Sequence, residues 1–279
     1  MHPRNPYRVP IDFAALAVAY PPLAPYVVKS SEHSKIDFQN DAALRRLTEA
    51  LLFRDFQVKL TIPDDRLCPP VPNRLNYVLW LEDIVSRTSL AADCAQPDVV
   101  GLDIGTGASA IYPLLGCRSN GHWRFIATDI DDTSIRVARS NIEENHLQDR
   151  ISLVKADETR PIFSLLSSPE LDQVTVDFTM CNPPFYESRD EVLRSAEAKV
   201  AGPNAVVKAL SSHNVDNYAI TEFVQGQTRR WAIAWSFTNI HLPECVRITR
   251  NRESDPEWDV VDQHYERHSG FHLKQKIGF

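Results

Sequence analysis

DVVGLDIGTGAS, Asp98 to Ser109, is the stretch on which the fold turns. Asp98 to Asp103 has the apolar density of a buried strand. Glycines at 105 and 107 then let the backbone turn sharply and approach a ligand where a Cβ would clash. The same strand, turn, helix rhythm continues downstream. Arg124 to Asp129 reads as a second strand, and Asp132 is placed to cap a helix with Ile135, Ala138 and Ile142 on one face. Ile151 to Val154 is a third strand and Val174 to Cys181 a fourth. Such alternation predicts parallel strands joined by right-handed crossovers. Tyr218 to Val224 and Thr228 to Phe237 differ, because Gly226-Gln227 between them suits a tight antiparallel hairpin.

Working outward, residues 1–95 read as a helical, proline-punctuated module. Asp12 to Tyr20 is a short helix stopped by Pro21-Pro22. Asp41 to Phe56 carries leucines at helical spacing, and a third helix starts near Asn73. Ala91 to Pro97 reads as a linker, residues 96–240 as the α/β domain, and residues 241–279 as a polar tail expected to be mobile. No apolar run approaches the roughly 18 residues that a membrane span needs, and Met1-His2-Pro3-Arg4 lacks the apolar start of a signal peptide. The five cysteines stand singly, which suits a reducing compartment, nucleus or cytoplasm, and neither they nor the nine histidines show metal-ligand spacing, so no metal is expected. A net charge of −7 argues against a broad basic face and leaves room for a local basic groove.

The glycine turn narrows the ligand. Gly105-Thr-Gly-Ala-Ser-Ala110 lacks the third glycine of the dinucleotide motif, and no phosphate-cradling P-loop is present. Asp103, Gly105 and Gly107 form instead a D-x-G-x-G turn, and Asp129 ends the next strand, placed to accept hydrogen bonds from ribose hydroxyls. That combination points to S-adenosylmethionine. A plain α/β turn would carry the same glycines, and Asp129 could serve only as a helix cap.

The fourth strand runs into Asn182-Pro183-Pro184-Phe185. Prolines cannot continue a sheet ladder, so the strand ends by presenting an amide, two rigid rings and an aromatic face. A planar amine is a poor nucleophile because its lone pair is delocalised. If the Asn182 side-chain oxygen and the Pro183 carbonyl accept its two N–H bonds, the nitrogen turns pyramidal and its lone pair is aimed at a methyl donor. The prolines stiffen the acceptor, and Phe185 can stack on the ring. Adenine N6, cytosine N4 and a glutamine amide all fit this chemistry.

Six blocks together resemble the methyltransferase-like protein 16 family: MHPRNPY at the start, PNRLNYVLWLED, GLDIGTGASAIYPLLG, FIATDIDD, CNPPF and TEFVQGQTRRWAIAWSF. The resemblance implies a Rossmann-like class I methyltransferase fold with a helical N-terminal RNA-binding module. It implies methyl transfer to adenosine N6 in structured RNA such as U6 small nuclear RNA, and it favours the nucleus. It also implies residue roles: Arg74 on the cofactor carboxylate, Gly105 and Ser109 in the cofactor loop, Asp129 on the ribose, Thr159 near the adenine, and Asn182 to Phe185 as the catalytic tetrapeptide. Arg4 and Arg8 become candidate phosphate contacts, and Arg229 and Arg230 at the hairpin could face either RNA or solvent. The family's target is an adenosine in a bulge or loop of a hairpin, which leaves its stack at less cost than one inside a duplex.

The pattern breaks between Phe185 and Tyr218. There the family has a glycine-rich turn, a helix, a fifth parallel strand and another helix. Here Glu191 to Val200 and Asn204 to His213 read as helices, with a seam at residues 201–204 and no strand between them. A central sheet short of one strand is expected, with a ladder edge to cover. Two other functions stay open at this point: a non-catalytic RNA-binding protein with a truncated methyltransferase fold, and a protein glutamine-N5 methyltransferase.

Overall fold

A computed structural model describes residues 1–29, 34–91, 98–157, 159, 174–182, 218–225, 228–235 and 276–277. The chain divides into two units, residues 1–83 with 94–177, and residues 84–93 with 178–279.

In the first unit, α1 (Phe13–Ala19) starts where the Asp12 carboxylate accepts the Ala15 N–H at 3.0 Å. The α-helix ends before Pro21-Pro22, Tyr20 leaves the helical region at φ −133°, ψ 86°, and a separate 3-10 segment follows over Pro21–Tyr26. Proline at a first helical position forfeits no hydrogen bond. β1 (Val27–Lys29) and β2 (Ser34–Ile36) then form an antiparallel ribbon with Val27 opposite Ile36. The N-terminal module is therefore not wholly helical; the β-branched pair Val27-Val28 favours strand. α2 (Asp41–Phe56) has the expected bounds. Asn40 caps it on the Ala43 N–H at 3.0 Å, and Gln57 closes it in the left-handed region, at φ 53°. α3 (Val71–Ala91) begins earlier than expected, with Pro72 inside its first turn.

The α/β part follows as β3 (Val99–Ile104), α4 (Ile111–Ser119), β4 (Trp123–Asp129), α5 (Asp132–Glu144) and β5 (Ile151–Lys155). β3 pairs with β4, and β4 with β5, all parallel, with Leu102 opposite Ile126. These two side chains are buried and gather Val100, Ile104, Val154 and Val176 around them. The α5 cap is Asp131, whose carboxylate accepts the Ser134 N–H at 2.7 Å. Asp132, the expected cap, lies in the first turn and pairs with Lys155 at 2.6 Å. The chain comes back to β3 at Asp177. Its N–H donates to the Val100 carbonyl at 2.9 Å, and its carboxylate accepts the Val100 N–H at 2.7 Å. A side chain thus replaces one backbone acceptor, which is why the next strand starts later than Val174.

Gly116 on α4 fixes how closely that helix lies on the sheet. A Cβ there would stand 2.6 Å from Phe125 Cε2 and 2.7 Å from Cζ. The Phe125 ring is buried and meets Trp123 edge-on, at 5.9 Å between centroids. Gly116→Ala should therefore cost about 1–3 kcal/mol of stability. A fall in the urea midpoint with an unchanged slope would register it; an unchanged midpoint would refute the close packing.

In the second unit, β6 (Phe178–Cys181) buries Phe178 and Met180. β7 (Tyr218–Gln225) and β8 (Thr228–Trp235) form the expected antiparallel hairpin, with Gln225 opposite Thr228. β9 (Lys276–Ile277) adds to β8 beside Ala234 and Trp235. β9 falls within the segment read from the sequence as a tail from residue 241. The linker at residues 92–97, the two expected helices and the seam near residues 201–204 lie outside the described residues.

Candidate cofactor and catalytic site

The site begins at the C-terminal end of β3. Gly105 and Gly107 adopt φ 74° and 67°, and a Cβ on either would meet nothing within 4 Å. Backbone conformation demands glycine there, and the open space beside them is room for a ligand. The N–H groups of Gly105 and Thr106 both donate to the Thr128 carbonyl, at 2.9 and 2.8 Å, which ties the turn to β4. Ala110, where a dinucleotide motif would have its third glycine, takes the left-handed conformation at φ 46°. That conformation costs an alanine about 1–2 kcal/mol of strain.

Asp129 holds the same turn from the next strand. One carboxylate oxygen accepts the Gly107 N–H at 2.8 Å and the other accepts the Asp131 N–H at 2.9 Å. Since Asp131 caps α5, Asp129 is not merely a helix cap. Each of its oxygens keeps a second lone pair for a ligand hydroxyl.

Asp103 is the unusual group. Its carboxylate is fully buried, and neither oxygen has a hydrogen-bond partner. Burial pushes its pKa up to about 7; the Thr106 hydroxyl and the Arg74 charge lower it, and the Asp129 carboxylate raises it. Thr106 lies near enough to temper the charge, yet its hydroxyl makes no bond of normal geometry. Arg74 comes from α3 and donates to the Tyr112 hydroxyl at 2.9 Å, with its guanidinium 5.5 Å from the centre of that ring. Tyr77 meets Tyr112 edge-on. A buried carboxyl in the turn and a positioned guanidinium from α3 are thus offered to a zwitterionic ligand. The amino-acid end of S-adenosylmethionine carries both charges, so these residues fit it. Ser109, the other expected loop contact, is buried in the same turn.

Of the catalytic tetrapeptide, Asn182 directly follows β6 and is half-buried. Pro183, Pro184 and Phe185 lie outside the described residues. Thr159, expected near the cofactor adenine, is exposed, and both its hydroxyl and its N–H donate to the Asp157 carboxylate, at 2.7 and 2.9 Å. Its described contacts are a local turn.

Of MHPRNPY, His2, Asn5 and Tyr7 are buried, while Arg4 is exposed but held from α3. Arg4 donates to Glu82 at 2.8 Å, to the Leu79 carbonyl at 2.9 Å and to Asp83 at 2.6 Å. Asn5 bonds to Asn76, and the Tyr7 hydroxyl donates to Asp55 at 2.7 Å. Arg4 is accordingly a clamp on α3 before it is anything else. Arg8 is exposed, with only a long bond to the Pro3 carbonyl at 3.3 Å. Arg229 and Arg230 occupy positions in β8 opposite Val224 and Phe223. Among the described residues no trio of His, Cys, Asp or Glu could hold a metal, and no helix is long and apolar enough to cross a membrane.

Two site residues were not foreseen. Tyr112 holds Arg74, and nothing in its spacing marks it. Asn141 reaches the carbonyl of Ala108, and its signal was a polar residue beside the apolar stripe of α5.

Residues 1–215 match a family described as RNA methyltransferase. An RNA N(6)-adenosine-methyltransferase, mettl16, of Xenopus laevis is 35% identical over 289 residues, covering 85% of this chain and 52% of the relative. A U6 small nuclear RNA (adenine-(43)-N(6))-methyltransferase of Schizosaccharomyces pombe is 33% identical over 260 residues, covering 77% of this chain and 66% of the relative. The crystal structure of the N-terminal domain of human METTL16 in complex with SAH is 36% identical at a TM-score of 0.72, over 86% of this chain and 99% of that one. The hMettl16 catalytic domain in complex with MAT2A 3'UTR hairpin 1 is 33% identical at a TM-score of 0.70, over 85% and 96%. The chain spans about half the length of several curated relatives it matches. The 289-residue alignment is longer than the 279-residue chain itself, so the relative carries residues that this chain lacks within the matched span.

Proposed function

This chain belongs to the RNA methyltransferase family, its α/β part has the Rossmann-like methyltransferase fold, and we propose that it transfers a methyl group to adenine N6 in structured RNA. The reading is carried by one observation: a buried Asp103 carboxylate with no donor, near the Arg74 guanidinium, at a glycine turn with open space beside it. When bound, S-adenosylmethionine supplies an electrophilic methyl group. Asp103 neutralises its ammonium, Arg74 its carboxylate, and Asp129 accepts from its ribose while Gly105, Gly107 and Ser109 line the loop.

Asn182 and the Pro183 carbonyl accept the two amine hydrogens of the target adenine. That would withdraw the nitrogen lone pair from the ring and point it at the methyl carbon. The N–CH3 bond would form as the sulfonium S–CH3 bond breaks to leave S-adenosylhomocysteine, and the methylated nitrogen, then acidic, would lose one proton to solvent with no strong base required. Phe185 stacks on the extruded base. Arg8, Arg229 and Arg230 meet RNA phosphates; Arg4 contributes by holding the N-terminal segment in place. The partner is a hairpin with a bulged or looped adenosine, of the U6 small nuclear RNA kind, in the nucleus. This draws on the fission-yeast U6 enzyme and on the hairpin bound to the human domain.

The test offers methyl-labelled S-adenosylmethionine with a bulged-adenosine hairpin, the same hairpin with guanosine at the bulge, and a glutamine peptide. Label on the first alone is expected. Label on the peptide would transfer the assignment to the glutamine amide, and hairpin binding without cofactor binding would make the chain a non-catalytic RNA binder.

A further inference from the structure

We infer that Asn141 is a positioning residue for the cofactor loop, acting through the peptide between Ala108 and Ser109. The inference rests on the cofactor reading above. Asn141 lies in the last turn of α5 and Asn145, four residues on, is its C-cap; both are buried. Each amide behaves as one residue of a β-strand toward the extended chain after α2. The Lys59 N–H donates to Asn145 Oδ1 at 2.9 Å, and Asn145 Nδ2 donates to the Lys59 carbonyl at 2.6 Å. The Thr61 N–H donates to Asn141 Oδ1 at 2.9 Å, and Asn141 Nδ2 returns a bond to the Thr61 carbonyl at 3.0 Å. The match has a simple geometric source. Four residues of helix rise about 6.0 Å, and two residues of strand span about 6.6 Å.

The two amides differ in where their remaining hydrogen goes. Asn145 Nδ2 gives its second bond to the Asn141 carbonyl at 2.7 Å, inside the helix. Asn141 Nδ2 gives its second bond to the Ala108 carbonyl at 3.1 Å, inside the glycine turn. A trans peptide points its C=O and N–H in opposite directions. Drawing the Ala108 carbonyl toward α5 therefore turns the Ser109 N–H the other way. That N–H makes no hydrogen bond among the described residues, so it remains available to an acceptor on the ligand. Asn141 holds it there without touching the ligand.

Asn145 provides the matched control, because its loss breaks the same strap and spares the turn. Asn141→Ala and Asn145→Ala should lower the melting temperature to a similar degree. Calorimetric titration with S-adenosylhomocysteine should then show the dissociation constant rising about tenfold or more for Asn141→Ala. For Asn145→Ala it should stay within about threefold of the unaltered protein. Hydrogen exchange in the ligand-free protein should quicken at Gly107 to Ala110 in the first variant only. Should Asn141→Ala not fold, Asn141→Asp keeps the acceptor for Thr61 but presents an oxygen to the Ala108 carbonyl, and the same two readouts apply. Equal effects from the two positions would overturn the inference. If the unaltered protein does not bind S-adenosylhomocysteine, the cofactor reading itself fails, which is a separate result.

Discussion

Asn182→Ala should abolish measurable methyl transfer to a bulged-adenosine hairpin while the protein still binds S-adenosylhomocysteine. Methyl transfer to an aromatic amine is limited by a lone pair held in the ring. Removing one of two acceptors leaves the nitrogen closer to planar when the methyl group must be attacked. Loss of one preorganised hydrogen-bonding partner of a transition state costs about 10²–10³-fold in turnover, so kcat should fall by at least that much. The cofactor dissociation constant should change by less than about threefold, since the charges assigned to the amino-acid end come from Asp103 and Arg74. Asn182→Asp keeps an acceptor oxygen but adds a charge that must be desolvated, so its activity should fall between the two. Single-turnover assays with saturating cofactor and RNA separate these outcomes from altered binding. A rate for Asn182→Ala equal to that of the unaltered chain would show that the amide does not hold the amine.

What could be read from the sequence followed from short-range rules. The bounds of α2 emerged because leucine spacing and the Asn40 cap are local properties of the chain. β3 to β5 and the antiparallel pairing of β7 with β8 emerged because apolar runs and turn residues are local as well. The Gly105 turn was visible for the same reason, but the left-handed Ala110 was not, because alanine carries no mark of a conformation that only its neighbours impose. The hold on Arg4 was hidden for a related reason. A guanidinium near the start of a chain looks solvated until α3 is placed beside it with Glu82 and Asp83. Asn141 could be noticed only as a polar interruption, since its partners, Thr61 and Ala108, are far away in sequence. The Asp131 cap was confused with Asp132 because two adjacent acids differ only in which one keeps extended backbone.

Asp103→Asn should make the ligand-free protein more stable above neutral pH and a much poorer binder of cofactor. The two effects share a cause. A carboxyl with a folded pKa of about 7, against an ordinary 3.8, takes up a proton on folding. The stability this lends is fully present below about pH 4 and drains away as pH rises to about 7. Above that, the ionised and partnerless carboxylate weighs on the fold by a constant amount, on the order of 4 kcal/mol. Asparagine has the same shape and no charge, and its amide can donate to the unpartnered Thr106 hydroxyl. The variant should melt a few degrees above the unaltered protein at pH 8 and lose the downward slope between pH 4 and 7. Cofactor binding runs the other way. An ammonium needs the ionised carboxylate, so the affinity of the unaltered protein for S-adenosylhomocysteine should climb between pH 5.5 and 7, by up to about tenfold per pH unit. Asp103→Asn should flatten that climb and bind about 30-fold more weakly or worse, as when one partner of a buried charge pair is removed. Calorimetry at three pH values, with melting curves on the same samples, reads both effects. A variant that melts lower at pH 8 and binds as tightly as the unaltered chain would show that the Asp103 carboxylate is neither orphaned nor aimed at the ligand.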